Sequence, residues 1–491
     1  MEDRNEHQGF TPPPRRKRKR KPKWQRVLRK YWPPVRFVLV CLAFVGVLYW
    51  GISAISSGIQ LGSTGKNPGN TTTGTTTAVT LSQDEITQQA TLLIEKADFI
   101  AAGYDYSTAI TMLQEFEHYD AVPALAEKVA EYEAAEALLV PYANMDQITH
   151  VFFHSLIVDP ARAFDNDSDS DGYNLYMTTC DEFWAILEAM YEKGYVLVTP
   201  YQVAAEVTNE YGTSFAYQQI LLPEGKKPFI MSQDDLNYYS YMVGTGDGKN
   251  ETPIFVDKNG DGFAHKIVIG EDGYPTCAYM DENGNITTGD YDLVPLLEKF
   301  IQQHPDFAYK GARAVLGMTG YEGVFGYRTK PSYETAMGSD MYQAEVEAAK
   351  EVAQCLREHG WILASHSYGH PAYGNIDASR VEADSDKWED TVQPIIGETD
   401  VILYPHGSDI AGPERYTFEN AKFSALYNDG YRYFFNVDSS VYWTQLGNNY
   451  YRGGRRNLDG YRMWHNPNML DDLFDVDEIF DNARPTPVPS L

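Results

Sequence analysis

From about residue 148 onward the chain alternates short apolar runs with longer polar or amphipathic stretches. Pro228-Phe-Ile-Met231 and Trp361-Ile-Leu-Ala364 are brief apolar runs of the kind that form buried strands. Ile148-Thr-His-Val-Phe-Phe-His-Ser155 reads as an alternating strand, and Phe183 to Tyr195 as an amphipathic segment ending at Gly194-Tyr195. Asp290 to Phe307 has helical spacing, and Ala312 to Met318 reads as the strand that follows it. In α/β sheets and barrels, reactive groups collect where strands end and loops begin. Asp234-Asp235 and His366-Ser-Tyr-Gly-His370 each stand just past an apolar run, at such an edge.

Upstream the pattern changes. Leu81 to about Ala143 is rich in Ala, Glu, Leu and Gln at helical spacing, and Ser82-Gln-Asp-Glu85 has the form of a capping box. The break at Gly103-Tyr104-Asp-Tyr106 and Pro123 predict three helices. Ala101, Ala102, Tyr104, Ala109 and Leu113 resemble one tetratricopeptide-type helical pair. A single such unit cannot bury its own faces, so it is expected to pack on the larger domain or to serve as a spacer. Residues 62–80 are a Gly/Thr-rich linker. Phe37 to Leu61 is a run of 25 residues without formal charge, strongly apolar to about Trp50, long enough to span a membrane.

Charge sets the expected orientation. The first 36 residues carry 13 Lys/Arg and 3 Asp/Glu, a balance of +10, so the remainder holds −39 of the net −29. A basic tail beside an apolar span predicts a cytoplasmic N-terminus, contact with anionic lipid, and the rest of the chain outside. A cleaved signal peptide is the alternative, with Ser53-Ala-Ile-Ser-Ser as its small-residue site. The acidic remainder repels polyanions, so no nucleic-acid partner is expected. Cys41, Cys180, Cys277 and Cys355 imply no disulfide framework, and without a Cys-x-x-Cys pair a thiolate zinc site is excluded.

The two polar clusters carry the chemistry. Alone, an Asp-Asp pair is usually a turn or cap, and a histidine of a His-x-x-x-His spacing is usually a surface or core residue. Together they offer two imidazoles able to point one way from a helical turn, plus a carboxylate from another strand. Three protein ligands leave one position open, the catalytic pattern for zinc. The second carboxylate is then placed to act as a base.

In this order, and after these strands, the clusters resemble the first two motifs of the polysaccharide deacetylase family (NodB homology, carbohydrate esterase 4). Ser232-Gln-Asp-Asp-Leu236 stands where the family usually has Thr-Phe-Asp-Asp-Gly, and His366 to His370 matches His-Ser/Thr-x-x-His in full. Val401-Ile-Leu-Tyr-Pro-His-Gly407 is similar to the third motif, Asn428 to Asp438 to the late helix-to-strand unit, and Arg456-Asn-Leu-Asp459 to the final strand. The likeness runs from roughly His150 to Asp459, about two-thirds of the chain. It implies a deformed (β/α) barrel of the α/β class over 148–491, preceded by a transmembrane helix and a short helical segment. It also implies a divalent ion, zinc, on Asp235, His366 and His370, with Asp234 as base. Backbone N–H groups around Tyr404, Pro405 and Gly407 would hold the oxyanion, and His465, in the weakly matching Met463-Trp-His465, would be the acid. The expected reaction is removal of N-acetyl groups from an extracellular or cell-wall polysaccharide. An O-acetyl esterase and a non-catalytic carbohydrate-binding protein are the alternatives.

Departures from the pattern bear on this. Gln233 and Leu236 replace Phe and Gly, so the first loop is expected to take another shape; the third motif lacks the arginine that orients the catalytic aspartate; and 131 positions separate Asp235 from His366. Residues 245–290 read as a β-rich insertion of two hairpins turning at Asp257–Gly262 and Asp281–Asn285. Asp257/Asn259/Asp261 and Asp167/Asp169/Asp171 begin like calcium loops, but Val268 and Thr178 occupy the twelfth places, so both read as polar turns. His150 and His154 face one side of their strand and read as structural, with lining of the barrel mouth as the alternative. His406 reads as a loop residue. The 36 tyrosines and 8 tryptophans suit sugar stacking, though no single ring is assigned.

Overall fold

The computed structural model describes residues 81–210, 212–244, 258–438 and 440–491; the expected span at 37–61, its basic tail, the linker and Cys41 lie outside them. No helix among the described residues is long and apolar enough to cross a membrane.

Seven parallel strands close into a barrel: β1 (Thr149–Phe153), β3 (Lys227–Gln233), β4 (Val315–Met318), β5 (Ile362–Ser365), β6 (Val401–Leu403), β7 (Tyr433–Val437) and β9 (Tyr451–Asn457). Ring closure comes from β4, which pairs with β3 on one side and β5 on the other, and from β1, which joins β9 to β3. Two further strands lie off the ring: β2 (Tyr195–Leu197) pairs with the start of β3, and β8 (Thr444–Leu446) runs antiparallel to β9. Helices between strands pack on the outside, among them α4 (Cys180–Glu192), α5 (Leu293–Gln303), α6 (Ser339–Glu358), α7 (Ala378–Thr391) and α8 (Ala421–Asp429).

Period-two alternation sorts the barrel side chains. Along β3, Phe229 and Met231 join the outer core beneath the helices, with Val151, Phe153, Leu316 and Leu363. Ile230 joins the inner core, with Val315, Ala364, Val401, Leu403 and Phe435. Each such fully buried side chain contributes roughly 2–3 kcal/mol of transfer free energy. The same parity carries Ser232 and Asp234 inward on β3, and continues from Ala364 to His366 on β5. Gly317 on β4 is small for a reason: a Cβ there would stand 2.9 Å from Leu403 and 3.4 Å from His366 Cβ.

Among the described residues three α-helices precede the barrel: α1 (Gln83–Ala102), α2 (Tyr106–Gln114) and α3 (Pro123–Glu136). Ser82 and Glu85 close a capping box on α1. The helices share a small core of Ala90, Ala97, Ala109, Leu113, Leu125 and Tyr132. They then dock on the barrel's amino-terminal end. Tyr104 stacks on Tyr309 at 6.4 Å, and Lys310 N–H donates to Gly103 O at 2.7 Å, just ahead of β4. The segment thus packs on the barrel at the end opposite the strand termini that bear Asp234 and His366.

The insertion forms a three-stranded antiparallel sheet, Lys266–Ile269, Pro275–Met280 and Ile286–Gly289. Its turns fall at 270–274 and 281–285, so the first hairpin lies later than expected. The 258–262 stretch instead packs beside Asp159, whose N–H donates to Gly262 O. Asp167, Asp169 and Asp261, from the two acid-rich turns, bring carboxylate oxygens within 4.8 Å of one another. Tyr173 donates to Asp261 at 2.6 Å. Burial and the neighbouring carboxylates raise Asp261 to about 6.

Candidate metal centre and active site

At the carboxyl end of the barrel, Asp235, His366 and His370 each bring one ligand atom within 4.8 Å of the others. His366 Nε2 lies 4.0 Å, and His370 Nε2 3.7 Å, from Asp235 Oδ2. Asp234 Oδ2 lies 3.8 Å from His366 Nε2. Two distant stretches of chain therefore meet around one point.

The surrounding groups aim these atoms. His366 Nδ1 lies 2.8 Å from Leu403 O, at the end of β6. That carbonyl only accepts, so Nδ1 carries the proton and Nε2 keeps its lone pair for the centre. Tyr239 donates to Asp235 Oδ1 at 2.5 Å and contacts Thr319 Oγ1 at 2.6 Å, which leaves Oδ2 free toward the histidines. Burial pushes His370 down to about 4, against the pull of Asp235, so its ring is neutral at ordinary pH. A carboxylate and two imidazoles converging on one point suit a divalent ion such as zinc.

The His366–His370 stretch is a loop, not the helical turn expected. Its amides are captured elsewhere: Tyr368 and Gly369 N–H donate to the two oxygens of Asp384 on α7, at 2.8 and 3.0 Å. His370 N–H donates to Ser367 Oγ at 2.9 Å. Ser367 (φ 65°) and His370 (φ 55°) are left-handed, as are Asp235 (φ 56°) and Tyr238 (φ 48°) in the first loop. Such conformations cost about 1–2 kcal/mol each and persist only where neighbours over-determine them.

The first loop explains its unusual residues. Gln233 donates to both oxygens of Asp292 at 3.1 and 3.0 Å, and Tyr238 donates to the same carboxylate at 2.5 Å. Asp292 caps α5 through Leu293 N–H. Leu236 is fully buried, and its N–H donates to Gly317 O. The altered motif is thus anchored to the neighbouring strand and helix.

Arg455, from β9, supplies what the third motif lacks. Its Nη1 donates to Asp234 Oδ1 at 2.5 Å and to Ser232 Oγ at 3.3 Å, inside the barrel. Burial disfavours charge on Asp234, but the Arg455 guanidinium outweighs it and holds the carboxyl well below the usual carboxylate range. Parity separates this arginine from its neighbours: Arg452 pairs with Asp409 and Arg456 with Asp472. Deeper inside, His150 contacts Ser232 Oγ at 3.0 Å and meets Phe435 edge-on. Burial and Arg455 keep it neutral, in line with a structural reading.

Three expected oxyanion residues form the turn after β6 but do not present donors. Tyr404 N–H donates to Phe435 O, Gly407 N–H to Tyr404 O, and Pro405 has none. The turn instead closes the wall beside His366; a Cβ on Gly407 (φ 61°) would run into Val437 at 2.3 Å. His406 is exposed, with Nε2 3.3 Å from His370 O and its ring 4.3 Å from that of His370. His465 is not brought to the centre. It is exposed, and its Nε2 lies 3.1 Å from Val488 O and 2.9 Å from Pro489 O. The chain's last residues pass over the short helix Gly460–His465 and hold the ring there.

Aromatic rings flank the open side. Tyr239 lies between close, nearly parallel partners, Tyr321 at 4.8 Å and Tyr241 at 5.8 Å, and Tyr241 is 49% exposed. Glu322 binds Ser240 N–H and Oγ at 2.8 and 2.9 Å, tying the loop of Tyr239 to that of Tyr321. Arg455, Asp384 and the hydrogen bond from Tyr239 to Asp235 escaped sequence reasoning, although Tyr239 stands near the site in sequence. Only the inward parity of Arg455 on a strand left a readable trace.

No protein-family description and no curated protein sequence matches this chain. Among solved structures it is similar to the Streptococcus pyogenes deacetylase PplD in complex with acetate. That likeness has 15% identity and a TM-score of 0.35, and it covers 68% of this chain and 99% of that one.

Proposed function

We propose that the protein is a metal-dependent hydrolase that removes acetyl groups from an N-acetylated glycan. The convergence of Asp235, His366 and His370 beside an ionised, separately anchored Asp234 carries this reading. Bound there, a zinc ion would supply Lewis acidity toward an acyl carbonyl and toward water. The protein's own contribution is arrangement and proton handling. Asp234 Oδ1 is committed to Arg455, so Oδ2 is the oxygen free to take a proton from the attacking water. Its low basicity is tolerable because the water it serves is made acidic. The tyrosine stack at the mouth suits a glycan, with Tyr241 as the exposed ring that offers apolar contact.

The uncharged run at 37–61 behind a basic tail supports a single-pass anchor with the barrel outside the cell membrane. Docking of the helical segment at the opposite end of the barrel would leave the mouth free to meet a polymer. The same site chemistry suits an O-acetyl ester.

Acetate release from chitooligosaccharides and from peptidoglycan, by the full-length protein with and without chelator, tests the proposal. The expected result is release that chelation abolishes and zinc restores. His366→Ala is expected to lose zinc binding and acetate release together while its circular dichroism is unchanged. Absence of release from every substrate by zinc-loaded protein refutes the hydrolase and favours a carbohydrate-binding role.

A further inference from the structure

We propose that His154, from the first strand of the barrel, is the proton donor to the leaving amine; this rests on the hydrolase reading above. Register places it. Phe153 is paired with Gln233 across β1 and β3, and Asp234 N–H donates to Phe153 O at 2.8 Å, so His154 and Asp234 follow at the same level on neighbouring strands. On the other side β9 ends at the same height. Leu458 N–H donates to Phe152 O, and Asp459 follows, buried and capping the next short helix through Arg462 N–H at 2.8 Å. His154 continues the inward parity of His150 by two pairs of residues, which sets it at the rim of the barrel where His150 lies in its interior.

The ring is held by one nitrogen. Nδ1 lies 3.1 Å from Tyr176 O, a group that only accepts, so Nδ1 carries a proton and Nε2 is the atom left for exchange. Its edge-to-face contact with Phe152, 5.7 Å between centroids, fixes the plane. The side chain is half-buried. Three carboxylates are its electrostatic neighbours, Asp234, Asp235 and Asp459. They are the base, a metal ligand and a flanking acid, so the ring stands beside the reacting centre without being consumed in a short ion pair. His465, by contrast, spends its Nε2 on the carbonyls of the chain's end.

The proton inventory then closes. The attacking water forms the new C–O bond and gives one proton to Asp234 Oδ2. The C–N bond breaks with its electron pair going to nitrogen, which takes the proton from His154 Nε2. The products are a carboxylic acid and a free amine, and the proton left on Asp234 returns to His154 through solvent at the open mouth.

An amine must be protonated to leave, whereas p-nitrophenolate need not be. His154→Gln in the full-length protein is therefore expected to lose about 10²–10⁴-fold in acetate release from N-acetylglucosamine oligomers. Its hydrolysis of p-nitrophenyl acetate should stay within about tenfold of the parent, and its zinc affinity should be unchanged. If that variant does not fold, His154→Ala supplemented with imidazole gives the second reading, with oligomer deacetylation restored as imidazole is added. Equal losses on amide and ester, or an amide-selective loss in His465→Gln instead, overturn the assignment. A parent protein active on both substrates shows that such a failure lies with His154, while a parent inactive on both fails at the hydrolase reading and takes this one with it.

Discussion

The barrel's amino-terminal opening is filled by apolar side chains: Val203, Phe215, Tyr104 and Tyr309 join the inner core there, all buried. Its carboxyl-terminal opening is lined instead by Asp234, Asp235, His366, His370 and Arg455. The two ends also differ in backbone. Asp235, Tyr238, Ser367, His370 and His406 are all left-handed at the carboxyl end, against Tyr104 and Lys310 where the helical segment docks. One end is stabilised by packing that tolerates exchange of similar shapes. The other holds charges and strained residues that hydrogen bonds must specify one by one. Substitutions at the first end should therefore cost stability and spare chemistry, and those at the second should cost chemistry whether or not they cost stability.

The largest expected effect breaks the charge balance at the mouth. Arg455→Met leaves Asp234 buried without its partner and should destabilise by about 3–5 kcal/mol, read from urea denaturation. Adding Asp234→Asn should recover most of that stability but no activity. Next, Tyr104→Ala removes the stacked ring at the docking end and should cost about 3 kcal/mol. Zinc affinity, measured by calorimetry, and acetate release should be the same as the parent's; a change in either would dissolve the distinction between the two ends. Tyr239→Phe, which frees Asp235 Oδ1, should weaken zinc binding about 10–100-fold with little loss of stability.

The smallest effect concerns a carboxyl outside both ends. Burial first, and then Glu389, raise Asp429 to about 7, with Ser385 donating to it at 2.9 Å. A carboxyl raised in the folded state destabilises it above about pH 7, and that cost is gone below its unfolded value near 4. Asp429→Asn should therefore raise the melting temperature at pH 8 and leave it nearly unchanged at pH 4. An equal shift at both would show that the charge is not the cause.

Much of this was legible in the chain. Asp234-Asp235 and His366/His370 stand at strand ends because four-residue apolar runs precede them, and a run of that length has little choice but a buried strand. The capping box at Ser82 and the three helices after it are local in the same way. So is the common facing of His150 and His154, which parity alone dictates. What a strand faces inward is written in its alternation, and how deep it reaches is not.

Depth and partnership came from closure. Arg455, Asp384 and Tyr239 are positioned by register between strands and loops tens or hundreds of residues apart, and a one-residue slip would turn Arg455 to the outer face in place of Arg456. The misplaced expectations have the same origin. The amides at Tyr404 and Gly407 were spent on Phe435 and on the turn itself, and His465 on the chain's end. The helical turn at His366 gave way to a loop because Asp384, on a separate helix, offered its amides a stronger acceptor. Periodicity along the chain sets which groups can reach an interior; only the ring of paired strands sets which of them meet, because those pairings are made between segments that carry no record of one another.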